Sequence, residues 1–244
     1  MEDSFERQKQ FTGDAAHELR TPLTVILSQA QLALRGERDT GEYREALEAC
    51  ERAARRMRNL TESLLVLSRL DSGSESLSTA PCDLAEIARE GIDLLQPLAQ
   101  EHGVTIRGDL KPAPTMGDRQ RLGQILTNLV TNALQHSNPG SEVQVSTSSA
   151  GATVSLQIAD RGPGIEAKHL AHIFERFYRT DDSRNRRSGG AGLGLAICKA
   201  IADAHRAPLT VESILGHGTV FTLRMDRQTE PDAAATTRTP NPGA

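Results

Sequence analysis

His17 is followed at once by Glu18, and about one helical turn later by Thr21 and Pro22. An imidazole titrates near neutrality, so its neutral ring nitrogen is a competent nucleophile toward phosphorus, and a neighbouring carboxylate can hold the tautomer or accept the departing proton. Glu18 is the candidate for that carboxylate, and Thr21, at i+4, sets its hydroxyl on the same helix face as His17. Taken alone, His17 is one of seven histidines and fits a plain exposed surface residue better. Pro22 asks for a reason: inside a helix it deletes a hydrogen bond at a cost of about 3 kcal/mol, which a weak point beside a reacting group would justify.

Three further groups suit a nucleotide. Asn128 and Asn132, four apart, share one helix face, and amide oxygens are hard neutral ligands for Mg²⁺, which keeps most of its waters and binds through few protein groups plus substrate phosphates. A solvent-facing helix surface also carries such pairs. Asp160-Arg161-Gly162-Pro163-Gly164-Ile165 follows an alternating apolar stretch, and its glycines leave room for a flat base. The Asp160 carboxylate would accept from the exocyclic amine of adenine and repel the carbonyl oxygen of guanine, so it would choose ATP over GTP. An ordinary Gly/Pro turn is the other reading of those six residues. Ser188-Gly189-Gly190-Ala191-Gly192-Leu193-Gly194-Leu195-Ala196 opens a helix expected to end near residue 204, and glycine-rich backbone at a helix N-terminus cradles phosphate. Leu195 stands where a dinucleotide fingerprint needs its third glycine, and no Walker A sequence occurs. Residues 180–188, polar and charged without apolar anchors, read as a mobile lid. His169 and His172, at i and i+3, have metal-ligand spacing but read more simply as surface histidines.

These groups need elements to hold them. From residue 12, Ala16, Leu19, Leu23, Ile26, Ala30 and Ala33 recur in alternating steps of three and four, and after a polar link at 36–41 a second seam runs through Tyr43, Ala46, Cys50, Ala53, Met57, Leu60, Leu64 and Leu67. Two helices and a short loop make an antiparallel hairpin, which alone cannot bury both seams together with Leu27, Leu34, Leu65 and Leu70. A dimeric four-helix bundle is the expected solution, with His17, one position past the seam residue Ala16, on its solvent-facing flank. Beyond the Ser/Gly-rich stretch at 72–78 the pattern turns mixed. Helices are expected at 84–102 and at 119–136 behind Asp118 as N-cap, and strands where Val143 and Val145, Val154 through Ile158, Leu209 and Val211, and Val220 through Leu223 alternate with polar residues. Helices on the buried face of such a sheet form an α/β sandwich. The expected domains are 1–73, a linker at 74–80, a second domain at 81–227 and a disordered tail at 228–244.

The bulk properties narrow the classes. A net charge of -4 over 244 residues gives no electrostatic reason to expect nucleic-acid binding. The three cysteines, Cys50, Cys82 and Cys198, are too scattered for a disulfide framework or a zinc site. No apolar run reaches transmembrane length, so this segment itself is expected to make no membrane contact.

The stretch Phe11-Thr12-Gly13-Asp14-Ala15-Ala16-His17-Glu18-Leu19-Arg20-Thr21-Pro22-Leu23 closely resembles the phospho-acceptor box of the sensor histidine kinases of two-component systems. The asparagine pair, the Asp160 loop and the 188–196 stretch look like that family's asparagine box and its two glycine boxes, in the family's order. Ile173-Phe174-Glu175-Arg176-Phe177-Tyr178-Arg179 resembles its phenylalanine box, and Gly216-His217-Gly218-Thr219 its last glycine turn. The resemblance spans about residues 5–225. It implies an ATP-binding domain of the Bergerat α/β sandwich type, autophosphorylation of His17 by ATP with Mg²⁺, and transfer to an aspartate on a response-regulator receiver domain. It also implies a homodimer joined through the hairpin, in the cytoplasmic segment of an inner-membrane sensor. By the same resemblance Asn132 is the Mg²⁺ ligand, Asn128 sits near the phosphates, Asp160 meets adenine and Arg179 approaches the γ-phosphate. Gln135, His136, Gly162, Gly164, Ile165, Phe177, Tyr178, Gly190, Gly192, Leu193, Gly194, Leu195 and Thr219 complete the nucleotide contacts it implies. The order His17, Glu18, Thr21 further resembles members that dephosphorylate their partner, with Thr21 orienting water. Gln135 departs from a common lysine, removing one positive charge, and Ala191 departs from a common hydroxyl residue. A clamp-type ATPase of the same fold would carry a catalytic glutamate at position 128, where Asn128 stands, and a degenerate scaffold would not need its glycines intact.

Overall fold

The computed structural model describes residues 2–36, 38–72, 76–180 and 191–228, with the side chains of 2–10 left aside. Gly190, positions 181–188 of the expected lid and 229–244 of the expected tail lie outside the described residues. Contacts divide the chain into two compact units, Met1–Glu75 with Ala171–Ala200, and Ser76–Leu170 with Ile201–Ala244.

In the first unit, α1 (Glu2–Leu34) and α2 (Thr40–Asp71) form the hairpin. α1 begins ten residues before the apolar seam does, because periodicity marks only the part of a helix that has something to pack against. Asp39 opens α2 with a capping box: its carboxylate accepts from the Glu42 amide at 2.8 Å, and the Glu42 side chain accepts from the Asp39 amide at 3.3 Å. Ala53, Leu60 and Leu67, seven apart, are the buried residues of α2. On α1, Pro22 is buried and Leu19, Ile26 and Ala33 half-buried, whereas Ala16, Leu23 and Ala30 of the expected seam are exposed. α1 continues through Pro22, which has no N–H to give the Glu18 carbonyl, and the hydroxyls of Thr21 and Thr24 turn back to the carbonyls of His17 at 3.4 Å and Arg20 at 2.9 Å.

In the second unit, the five-stranded sheet has the order β2-β4-β5-β7-β6, from β2 (Thr105–Leu110), β4 (Glu142–Ala150), β5 (Thr153–Asp160), β6 (Leu209–Ile214) and β7 (Gly218–Asp226). β2 and β4 are parallel and the other neighbours antiparallel. A small antiparallel ribbon joins β1 (Ala80–Asp83) to β3 (Pro114–Gly117). α3 (Leu84–His102) and α4 (Arg119–His136) lie on one another and on the sheet, covering Val143, Val145, Val154, Leu156 and Ile158. Both helices and β4 through β7 match the sequence expectation, as does the alternation of buried positions in β4 and β5; β7 departs from it, burying Phe221, Thr222 and Leu223 in succession. β1, β2 and β3 escape it: β1 and β3 are four residues each, and β2 buries only Ile106. A short helix α5 (Ala167–Leu170) follows the Asp160 loop, and α6 (Gly194–Ala204) follows the second glycine stretch.

Candidate active site

The His17 side chain is exposed on α1, as its place beside the seam requires. Its neighbour Glu18 is half-buried and pairs with Arg56 of α2 at 3.0 Å, a cross-hairpin contact that the linear spacing does not reveal. Arg56 therefore holds the carboxylate beside His17 in an ion pair across the hairpin. Thr21 is exposed one turn from His17.

The same unit holds the residues from 171 to 200. Phe177 adopts φ +61 and donates its amide to the Gly192 carbonyl at 3.0 Å. Gly192, at φ +74, has no room for a side chain: a Cβ there would stand 2.8 Å from the Phe177 carbonyl carbon and 2.9 Å from the Tyr178 oxygen. Leu193 is buried, accepts from the Ile197 amide and thereby anchors the first turn of α6, while Gly194 is exposed and Leu195 half-buried. Tyr178 and Arg179 are half-buried, and the Tyr178 ring lies 5.5 Å from that of His172. His172 is engaged by Glu175 at 2.7 Å. Arg176, which the sequence reading left without a role, makes two 2.6 Å contacts to the Asp71 carboxylate and lies 4.8 Å over the ring of Phe11, whose centroid is 5.9 Å from that of Phe177. No pattern in the linear sequence links positions 11, 71 and 176.

In the second unit, α4 is set by its N-cap. One Asp118 oxygen accepts from the Arg121 amide at 3.1 Å and the other from the Ser78 amide at 3.0 Å, while the Asp118 amide donates to His205 Nε2 at 3.0 Å. Leu122, Ile125, Leu126, Leu129, Val130, Ala133 and Leu134 bury one face of α4. Asn128, Asn132, Gln135 and His136 stand half-buried along its flank, at the i, i+4 and i+3 or i+4 spacings that align side chains. A half-buried pair of amide oxygens, with no cluster of three or more histidine, cysteine or acidic side chains suited to a metal among the described residues, is a donor set that fits Mg²⁺ shared with phosphates and does not fit an all-protein cage.

Asp160 ends β5, opposite Thr219 at the start of β7. Its Oδ1 accepts from the Gly162 amide at 2.8 Å and its carboxylate also accepts from the Thr219 amide; burial pushes its pKa up from the ordinary 3.8, and these two amides pull it back in part. The loop from Asp160 to Ile165 is tied on two sides. A Cβ on Gly162 would stand 2.7 Å from the carbonyl oxygen of His136 at the end of α4, and one on Gly164, at φ +71, would collide with the Ile214 carbonyl oxygen. Pro163 accepts from the Gly216 amide at 2.7 Å, and the Ile165 amide donates to Ser213 Oγ at 2.8 Å. Ser213 in turn reaches the Gly218 carbonyl at 2.8 Å and Thr219 Oγ1 at 2.9 Å. The second unit therefore brings together Asp160, Gly162, Gly164, Ile165 and Thr219, with the His136 carbonyl behind Gly162, all anticipated, and ties Ile165 to Thr219 through Ser213, which was not. A serine in an alternating strand gives no sign of its cross-strand partner until the register is known.

Similarity to known proteins follows the same division of labour. Residues 7–73 match the His Kinase A (phospho-acceptor) domain family, and residues 117–229 match the histidine kinase-, DNA gyrase B- and HSP90-like ATPase family. The sensor histidine kinase YkoH of Bacillus subtilis is 37% identical over 229 residues, which is 93% of this chain and 50% of YkoH. Full-length ShkA, solved in complex with AMPPNP, superposes with a TM-score of 0.69 at 29% identity, covering 91% of this chain and 47% of ShkA. The histidine kinase ThkA, solved with the response regulator protein TrrA, gives a TM-score of 0.69 at 21% identity over 93% of this chain and 66% of that one, a likeness of fold. The chain spans about half the length of the curated relatives it matches. Among the described residues no helix is long and apolar enough to cross a membrane. With its phospho-acceptor hairpin ahead of an ATPase sheet domain, the chain belongs to the sensor histidine kinase family.

Proposed function

We propose that this chain is the catalytic core of a two-component sensor kinase, which takes the γ-phosphoryl group of ATP onto His17 and then yields it to an aspartate on a response-regulator receiver domain. The observation that carries the reading is the exposed His17 ring beside Glu18 on α1, within one chain that also holds a half-buried Asp160 carboxylate at the mouth of a glycine-rich loop. Asp160 accepts the adenine amine, with Gly162 and Gly164 giving the base room. Asn128 and Asn132 face the phosphates, Asn132 supplying the Mg²⁺ ligand; bound there, Mg²⁺ would neutralise charge on the phosphate oxygens. The positive N-terminal end of α6 and the side chain of Arg179 take the remaining phosphate charge.

An unprotonated nitrogen of His17 attacks the γ-phosphorus in line, a P–N bond forms, the bond to the bridging oxygen breaks and ADP leaves. The proton on the other ring nitrogen passes to Glu18, whose ion pair with Arg56 is solvent-exposed enough to exchange, or to water. The second transfer breaks the P–N bond and forms an acyl phosphate on the partner. Dephosphorylation of that partner, with Thr21 orienting water, is a second activity of the same face. The exposed apolar residues of α1 and α2 support a homodimer through the hairpin, and relatives about twice as long that are named as sensor kinases support a cytoplasmic segment of a membrane-bound sensor.

Incubation with γ-labelled ATP tests the reading. The expected label is acid-labile and base-stable, absent in His17→Gln, and reduced at least about ten- to a hundredfold in Asn132→Ala, the scale that loss of even an outer-shell partner of a metal reaches. Label that persists in His17→Gln would remove the phospho-acceptor, and normal labelling of Asn132→Ala would remove the magnesium ligand.

A further inference from the structure

Beyond these residues, Ser213 has no assigned part, yet its hydroxyl sits at the crossing of three segments of the second unit. It accepts from the Ile165 amide at 2.8 Å, is 2.8 Å from the Gly218 carbonyl and 2.9 Å from Thr219 Oγ1. A serine hydroxyl has one proton and two lone pairs. The Ile165 amide can only donate and the Gly218 carbonyl can only accept, so one lone pair and the single proton are both committed. Thr219 must then donate its own proton into the second lone pair of Ser213. This orientation leaves Thr219 Oγ1 an acceptor only. The neighbouring Asp160 carboxylate is an acceptor as well, and the Thr219 amide is one of its donors.

We propose that Ser213 is the positioning residue that sets base selectivity in the nucleotide site: it pins the loop from Asp160 to Ile165 against the start of β7 and turns the Thr219 hydroxyl into a second acceptor beside Asp160. The inference rests on the assignment of Asp160 to the adenine amine. Two acceptors side by side suit a purine bearing an amine at position 6 and oppose one bearing a carbonyl oxygen there. In the absence of the Ser213 hydroxyl the Thr219 proton is free to rotate toward the base, where it can satisfy a guanine oxygen, and the Ile165 amide loses its acceptor. Space does not explain the contacts: the backbone of the loop is already held by the Gly216 amide on the Pro163 carbonyl at 2.7 Å, so Ser213 adds orientation to a loop that is otherwise anchored.

Equilibrium binding of ATP and GTP to the full chain, by competition against a fluorescent adenine nucleotide, tests this. Ser213→Ala is expected to weaken ATP about five- to tenfold, the worth of one net hydrogen bond, while GTP binds as before or better, so that the ATP-to-GTP preference falls by at least that factor. Ser213→Thr, which keeps the hydroxyl, is expected to restore the preference. A merely structural role would lower both affinities together. An unchanged preference in Ser213→Ala, alongside a preference abolished in Asp160→Asn, would overturn the inference and leave the adenine site standing. A preference unchanged in Asp160→Asn would overturn both. Should Ser213→Ala fail to fold, amide exchange in the wild-type protein decides: an Ile165 amide protected without nucleotide is required, and one that exchanges at the rate of an open loop would end the proposal.

Discussion

Under the proposed assignment of Asp160 to adenine, one carboxylate trades stability for recognition. Burial raises its pKa, so the folded protein holds this proton to a higher pH than the unfolded chain, which releases it near 3.8. The contribution to stability is complete below 3.8 and is lost as pH rises through the elevated folded value. Asp160→Asn removes the charge and with it this slope. Thermal melts of both proteins over about pH 4 to 7 are expected to show the variant gaining on the wild type as pH rises and then levelling; a difference that stays flat would mean the carboxylate is not desolvated. The same variant is expected to bind ATP about ten- to a hundredfold more weakly, since a charged acceptor is replaced by a group that must also present a donor. A variant that is more stable near neutrality yet binds ATP more weakly is the signature of a buried functional charge.

Among the elements, the turn between β6 and β7 decides how the Asp160 loop is held. Two of its glycines have positive φ but different surroundings: Gly216, at +81, has open space where a Cβ would go, whereas a Cβ on Gly218, at +109, would collide with the Asp160 carbonyl oxygen. Gly216→Ala is therefore expected to cost about 1 kcal/mol, the strain of an L-residue in left-handed backbone. Gly218→Ala carries that strain plus displacement of β5 from β7 and is expected to cost about 3 kcal/mol. Urea unfolding of the two variants separates conformation from contact, and equal costs would mean the strands part easily at that point. The hairpin has its own local determinant in the Asp39–Glu42 capping box.

At the scale of the molecule, the hairpin leaves more apolar surface open than a helix pair in water favours. Leu27 is 53% exposed and Leu65 is 55% exposed, and Leu23, Leu34 and Leu47 are open as well. Ala53, Leu60 and Leu67 close one seam within the chain, while Ala16, Leu23 and Ala30 of the expected α1 seam stay uncovered, the pattern of half a four-helix bundle. Sedimentation of the full chain is expected to give a dimer, and the double variant Leu27→Glu with Leu65→Glu a monomer with a lower melting temperature. A wild-type monomer at micromolar concentration would assign that surface to something other than a second copy.

Sequence alone determined the parts whose chemistry or periodicity is local. The His17-Glu18-Thr21-Pro22 run, the Asn128 and Asn132 pair, the glycines beside Asp160 and the seams of both long helices announce themselves, because each depends on residues a few positions apart. The limits of α3 and α4 were equally legible, those of α4 from its Asp118 cap and apolar face. Only the tertiary structure decided which distant side chains answer them: Arg56 on Glu18, Arg176 between Phe11 and Asp71, and Ser213 joining Ile165 to Thr219. It also decided that β1, β2 and β3 are strands at all, since strands of four to six residues with few buried positions take their conformation from the partner they pair with. The physical reason is the same in each case. A helix satisfies its backbone within itself and writes its period into the chain, whereas a strand or a cross-strand hydroxyl is defined by a register that exists only once the fold has closed.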